Sequence, residues 1–147
     1  MIRSLLMAAV AGQRSMTPLA VIALAARHGT LPDNGAVRFL AHPLVATGAL
    51  ALAAGEMLGD KLPSAPDRII APGLAARVVT GAIAGAALAR RGERRDAAVL
   101  GAAVAVVAAY LGFGARVRAM RRFGQLSTGL VEDAVTLGSA AALVKAA

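Results

Sequence analysis

Apolar residues gather into five long runs, Ser4 to Ala26, Phe39 to Gly59, Ile69 to Ala89, Ala97 to Ala115 and Phe123 to Val144, separated by polar connectors. Helices of about 20 apolar residues match the hydrocarbon thickness of a bilayer. A soluble helix would show a charged or polar stripe every three or four residues, yet Leu44 to Gly55, Val78 to Ala89 and Ala97 to Ala115 contain no charge at all. The pattern predicts an all-α fold: a polytopic membrane helical bundle of about five spans, one domain over residues 1–147. The competing reading is an alanine-rich soluble bundle, because Arg outnumbers Lys fourteen to two and a biased composition would also raise the alanine count. The charge-free windows favour the membrane.

Four of the five runs carry a fault. Arg14, Glu56, Arg77 and the pair Glu132–Asp133 fall inside them, and only Ala97 to Ala115 is clean. A charge at mid-membrane costs about 2.5–3.5 kcal/mol on insertion scales, so these residues predict an internal polar site. Gly12-Gln13-Arg14-Ser15 followed by Pro18 predicts that the first span breaks near mid-depth. Glu56 and Asp60 are four apart and share a helix face. Glu132 and Asp133 are adjacent, so at most one of them points where Glu56 points. Arg14 and Arg77 are the available counter-charges, expected as Arg14–Glu56 and Arg77–Glu132. Such pairs either fix helix register or, beside a broken helix, form the proton relay or ion site of a transporter. The candidate ligand-binding or ion-coupling residues are Arg14, Glu56, Asp60, Lys61, Arg77, Glu132 and Asp133.

Between the runs lie a breaker-rich turn, His28 to Gly35, and a proline-rich connector, Leu62 to Arg68. The N-terminal Met1-Ile2-Arg3 and its short apolar stretch imitate a signal peptide, but the stretch runs into Gln13-Arg14 and reads as the start of the first span. Gly81/Gly85, Gly55/Gly59 and the face Gly101, Ala105, Ala108, Gly112 have the spacing that lets helices approach closely in lipid. They read as packing within the chain, and a homo-oligomer seam is the alternative.

The net charge of +8 raises nucleic acid as a partner. Half of the basic residues, however, sit in two clusters flanking apolar runs, Arg90-Arg91-Arg94-Arg95 and Arg116-Arg118-Arg121-Arg122. There the nearer partner is an anionic lipid headgroup, and Arg116, Arg118, Arg121 and Arg122 are the candidate phosphate contacts. One Tyr and no Trp provide no platform for stacking bases, so no nucleic-acid role is expected. The location expected is a cell membrane, multi-pass. Orientation does not follow from charge: with five spans, Arg27, Arg38, Arg90, Arg91, Arg94, Arg95 and Lys145 face Arg3, Lys61, Arg68 and the four arginines of 116–122, seven against seven. The tie suggests that one arginine cluster folds back to bind something.

No cysteine is present, which excludes disulfides and thiolate metal sites. His28 and His42 are isolated from carboxylates and read as interfacial rather than as metal ligands. Ser15 and Thr17 have no base at a nucleophile-like spacing, and no phosphate-cradling loop or cofactor fingerprint occurs. No catalytic residue and no cofactor is expected.

Gly12-Gln13-Arg14-Ser15 with Pro18-Leu19, Ala26-Arg27-His28-Gly29 with Leu31-Pro32, Glu56 with Asp60-Lys61-Leu62-Pro63, the Gly81-Ala82 region and Glu132-Asp133 resemble the small membrane proteins catalogued as domain of unknown function 4126. The resemblance runs from about Ala8 to Val135, and its most specific part is the acid followed by Asp-Lys-x-Pro. It implies an integral membrane helical fold, with no activity assigned. Between the last two runs the family tends to carry a polar, His-containing stretch; here Leu111-Gly112-Phe113-Gly114-Ala115-Arg116 stands instead. Arg14 before Glu56/Asp60 also echoes Arg116/Arg118 before Glu132/Asp133, which suggests an inverted pseudo-repeat about the third run.

Three functions fit. The first is a small transporter or permeation unit for an anionic group or lipid phosphate, coupled to a proton or cation. The second is a structural or assembly protein whose buried ion pairs only fix packing. The third is a membrane-embedded, metal-dependent enzyme acting on a lipid headgroup.

Overall fold

The computed structural model describes residues 1–59 and 69–147. Asp60 and Lys61, and the connector after them, lie outside the described residues. Among those described the chain is all-helical: α1 is Ile2–Gln13, α2 Met16–Arg27, α3 Ala36–Leu40, α4 Pro43–Gly59, α5 Ala71–Ala87, α6 Arg94–Phe123 after a 3-10 turn at Arg91–Glu93, and α7 Gln125–Lys145.

The first apolar run does break, between α1 and α2, but the result is a hairpin and not a kinked crossing. Arg14 is extended (φ −134°, ψ 113°), and one extended residue between two helices lets the chain turn back. Pro18 does not cause the break; it sits in the first turn of α2, where its missing N–H costs nothing. The return is fixed at the far end. Ile2 and Arg3 of α1 line the same surface hollow as Asn34 beyond α2, Ala89 beyond α5 and the C-terminal Ala147. Ile22 and Ala23 share a core cluster with Ala84, Ala87 and Ala140, residues near the C-terminal ends of α5 and α7.

Asn34 locks that end. Its Nδ2 donates to the carbonyls of Ala86, Ala87 and Ala89 at 2.8–2.9 Å, which the C-terminus of α5 leaves without helical donors. Its Oδ1 accepts from the N–H groups of Ala36 and Val37, starting α3. One buried amide thus caps two helices.

The tight seam of the bundle is α1, α5 and α6. A Cβ at Gly81 would strike Ala105, one at Gly85 the Ala97 carbonyl, one at Gly101 the Gly81 carbonyl, and one at Gly12 Ala105 and Ala108. The face Gly101, Ala105, Ala108, Gly112 is therefore where α1 and α5 seat. Gly55 and Gly59 differ: a Cβ at either meets nothing within 4 Å among the described residues. Their spacing matches the motif, but among the described residues no helix lies against them.

α6 runs 30 residues, about 45 Å at 1.5 Å per residue. The second arginine cluster, expected as a connector, is its last two turns. Arginine is a good helix former, and nothing interrupts the helix before Gly124, whose φ of +82° favours glycine. The segment 91–123 is long and apolar enough to cross a membrane, and only 22% of its most apolar window is buried inside the protein. The other apolar helices, α1, α2, α4 and α5, have 12, 12, 17 and 17 residues. The proposed pseudo-repeat has no common build, since α1–α2 is a hairpin of half-helices whereas α6–α7 pairs a 30-residue helix with a 21-residue one.

Candidate charged site at the hairpin tip

The turn at Arg14–Ser15 ends one helix and starts another inside the bundle, and it leaves backbone groups at both ends without helical partners. Charged side chains from three other helices meet them. Glu56, near the end of α4, accepts from the Ser15 N–H (2.9 Å) and Ser15 Oγ (2.8 Å) through Oε1, and from the Met16 N–H (3.0 Å) through Oε2. It does from 40 positions away what a local N-cap does, with its negative charge on the positive end of α2. Arg77 of α5, 4% exposed, donates through Nε to the Gly12 carbonyl at 2.9 Å and through Nη1 to Gly73 of its own helix at 2.8 Å. That places a cation on the carbonyl end of α1, where the helix dipole is negative.

Arg14 is fully buried. It forms an ion pair with Asp133 of α7 through Nη2 and donates through Nη1 to the Glu56 carbonyl at 3.2 Å. Gln13 beside it donates to the Ala108 carbonyl of α6 at 2.8 Å. Among the described residues the tip brings together Arg14, Arg77, Glu56 and Asp133. Thr17, also fully buried in the first turn of α2, has a hydroxyl with no hydrogen-bond partner among the described residues.

The expected pairings need correction. Among the described residues Arg14 pairs with Asp133 and meets Glu56 through its backbone carbonyl, because the Glu56 carboxylate is spent on the α2 N-terminus. Arg77 donates to the carbonyls of Gly12 and Gly73, and Glu132 lies elsewhere. Glu132 faces away from the tip and pairs with Arg116 of α6, Nη1 to Oε2 at 2.6 Å; adjacent helix positions diverge by about 100°, so the acid pair splits between two sites. Arg118, Arg121 and Arg122 are exposed along the end of α6, and Arg122 lies 5.5 Å from the Phe123 ring centroid. His28 and His42 are exposed near the opposite end. No three His, Cys, Asp or Glu side chains come together among the described residues, so the metal-dependent reading finds no ligand set there.

Asn34, the Gln13 contact and the capping of α2 by Glu56 escaped the sequence. The signal for Asn34 was present, an Asn-Gly inside a breaker-rich turn, but its partners lie more than 50 residues away.

The chain belongs to the family described as Domain of unknown function (DUF4126), matched over residues 2–146. No curated protein and no solved structure matches it. The DUF4126 match contains both hairpin arms and every residue of the tip.

Proposed function

We propose that this DUF4126 chain is a multi-pass membrane protein in which the hairpin tip couples movement of an anion to a proton. Leu44, Leu52, Leu58, Val79, Val99, Val107, Leu111, Val131 and Val135 are all more than half exposed on α4, α5, α6 and α7, the surface that lipid would cover. The 17 residues of α4 and of α5 reach the lower end of the crossing range, and the hairpin is a re-entrant element. Non-helical backbone at such depth is tolerated where protein or a cavity surrounds it.

Re-entry also breaks the charge tie. Arg3 joins Arg27, Arg38, Arg90, Arg91, Arg94, Arg95 and Lys145 at one end, against Arg116, Arg118, Arg121 and Arg122 at the other. Eight against four among the described residues, and eight against six with Lys61 and Arg68 on the side that the sequence count gave them, favours a cytoplasmic Asn34 end.

The observation that carries this reading is the buried cluster at the tip, where the Arg14 guanidinium and the Asp133 carboxylate pair beside interrupted backbone. An anion entering beside Arg14 takes the place of that carboxylate, and its departure returns Arg14 to Asp133. The displaced carboxylate is the group that accompanies the coupled proton or cation. The unsatisfied Thr17 hydroxyl is a further donor for such an anion. Glu56 and Arg77 hold the backbone open on either side. In liposomes, wild type is expected to move an anion, lipid phosphate included, together with protons. Asp133→Asn should keep anion movement and lose the proton, and Glu56→Gln should abolish flux with insertion intact. A wild type that moves no ion, proton or lipid ends this reading.

The second reading, a structural or assembly role, rests on the internal partner that each charge already has. It predicts that exchanging Arg14 and Asp133 retains folding and phenotype, whereas coupling predicts that the exchanged protein folds but moves nothing.

A further inference from the structure

α6 and α7 are consecutive, yet they diverge from the Gly124 turn and do not pack along their length. Two clefts open between α7 and its neighbours. One, of about 460 Å³, lies between α1 and α7 and runs from Leu143 past Thr136 to Gln13. The other, of about 430 Å³, lies between α6 and α7 and runs from Gln13 to the Arg116–Glu132 pair and Thr128. Gln13 and Val135 line both, so the two are one furrow. Along α7 it covers residues 128–143, roughly 22 Å at 1.5 Å per residue.

The lining has a direction. Aliphatic side chains, Leu6, Leu111, Val131, Val135 and Leu143, form most of it. At one end the charge changes: Arg116 is paired with Glu132, and beyond it the exposed Arg122 continues the lining face of α6, seven positions after Ala115 and three after Ala119. The exposed Arg118 lies one turn before it, and Arg121 is turned off that face. Among the described residues no acid pairs with Arg118 or Arg122. An apolar furrow that ends in surplus positive charge is complementary to a molecule with a hydrocarbon tail and an anionic head. A helix from a second copy would bring its own arginines to this end and be repelled.

The geometry points to a binding site for an anionic phospholipid of the surrounding leaflet, one acyl chain lying in the α1–α7–α6 furrow and the phosphate held by Arg118 and Arg122. This rests on the membrane placement proposed above and not on transport, so flux plays no part in its test. Purified protein in detergent is offered phosphatidylglycerol and phosphatidylcholine, and bound lipid is counted by native mass spectrometry. Wild type should retain phosphatidylglycerol at least tenfold over phosphatidylcholine. Val135→Trp, which fills the shared floor, should lose it. Val107→Trp, on an exposed part of α6 outside the furrow, should keep it. Joint replacement of Arg118 and Arg122 by Gln should bring the two lipids to parity while leaving the Arg116–Glu132 pair intact. Equal retention of both lipids by wild type would overturn the proposal, as would retention unchanged by Val135→Trp. So would a Val135→Trp effect that appears as loss of a dimer, which would make the occupant a second copy.

Discussion

The α1–α5–α6 side and the α2–α4–α7 side of this bundle solve the same problem by different means. On the first, glycines and alanines bring backbones so close that an added methyl meets a carbonyl at Gly81, Gly85, Gly101 and Gly12. On the second, the glycines of α4 and Gly138 of α7 face no neighbour within 4 Å, and the helices are tied at the tip by Glu56, Arg14 and Asp133. Close packing in lipid rests on dispersion and leaves little room to move. Charge-assisted contacts are strong but few, and each can be undone by a proton or a competing ion.

The comparison breaks most visibly at Asp133. Asp133→Ala leaves Arg14 buried without its carboxylate, and removing one member of a buried pair costs about 3–5 kcal/mol; thermal unfolding in detergent should show the largest loss of any single change in the tip. Next comes the tight seam, where Gly101→Ala forces α5 off α6. Overpacking of this kind costs about 1–3 kcal/mol, to be read in the same unfolding assay. The smallest effect sharpens the contrast. Gly55→Ala, on the open face of α4, should be neutral or stabilising by up to about 1 kcal/mol, because alanine is the better helix former and nothing obstructs its methyl. A large loss at Gly55 would mean that a partner covers that face.

Much of the helical order was legible in the sequence because apolar length and breaker residues are local signals. The third and last runs became α5 and α7 with shifts of a few residues, the fourth became α6 but runs eight residues further, and the break near Arg14 was marked by Gly12-Gln13-Arg14-Ser15. What the sequence could not show was direction. A broken helix that kinks and one that folds back look alike at Arg14–Ser15; Asn34, buried against α5, decides between them. The same limit misled the pairing. Five charges in four apolar runs permit several matings, and the choice depends on which backbone ends need a carboxylate or a guanidinium. Glu56 was claimed by the N-terminus of α2, so Arg14 fell to Asp133. The identical spacing of Gly55/Gly59 and Gly81/Gly85 likewise carried no information about which pair has a helix opposite.

Re-entry of α1–α2 is the claim on which site, orientation and coupling all stand, and the absence of cysteine makes it directly measurable. Single cysteines at Ile2, Thr30 and Ser127, all exposed, can be labelled in sealed vesicles with a membrane-impermeant maleimide. The account predicts that Ile2→Cys and Thr30→Cys react from the same face and Ser127→Cys from the opposite one. Reaction of Ile2→Cys and Thr30→Cys from opposite faces would contradict it.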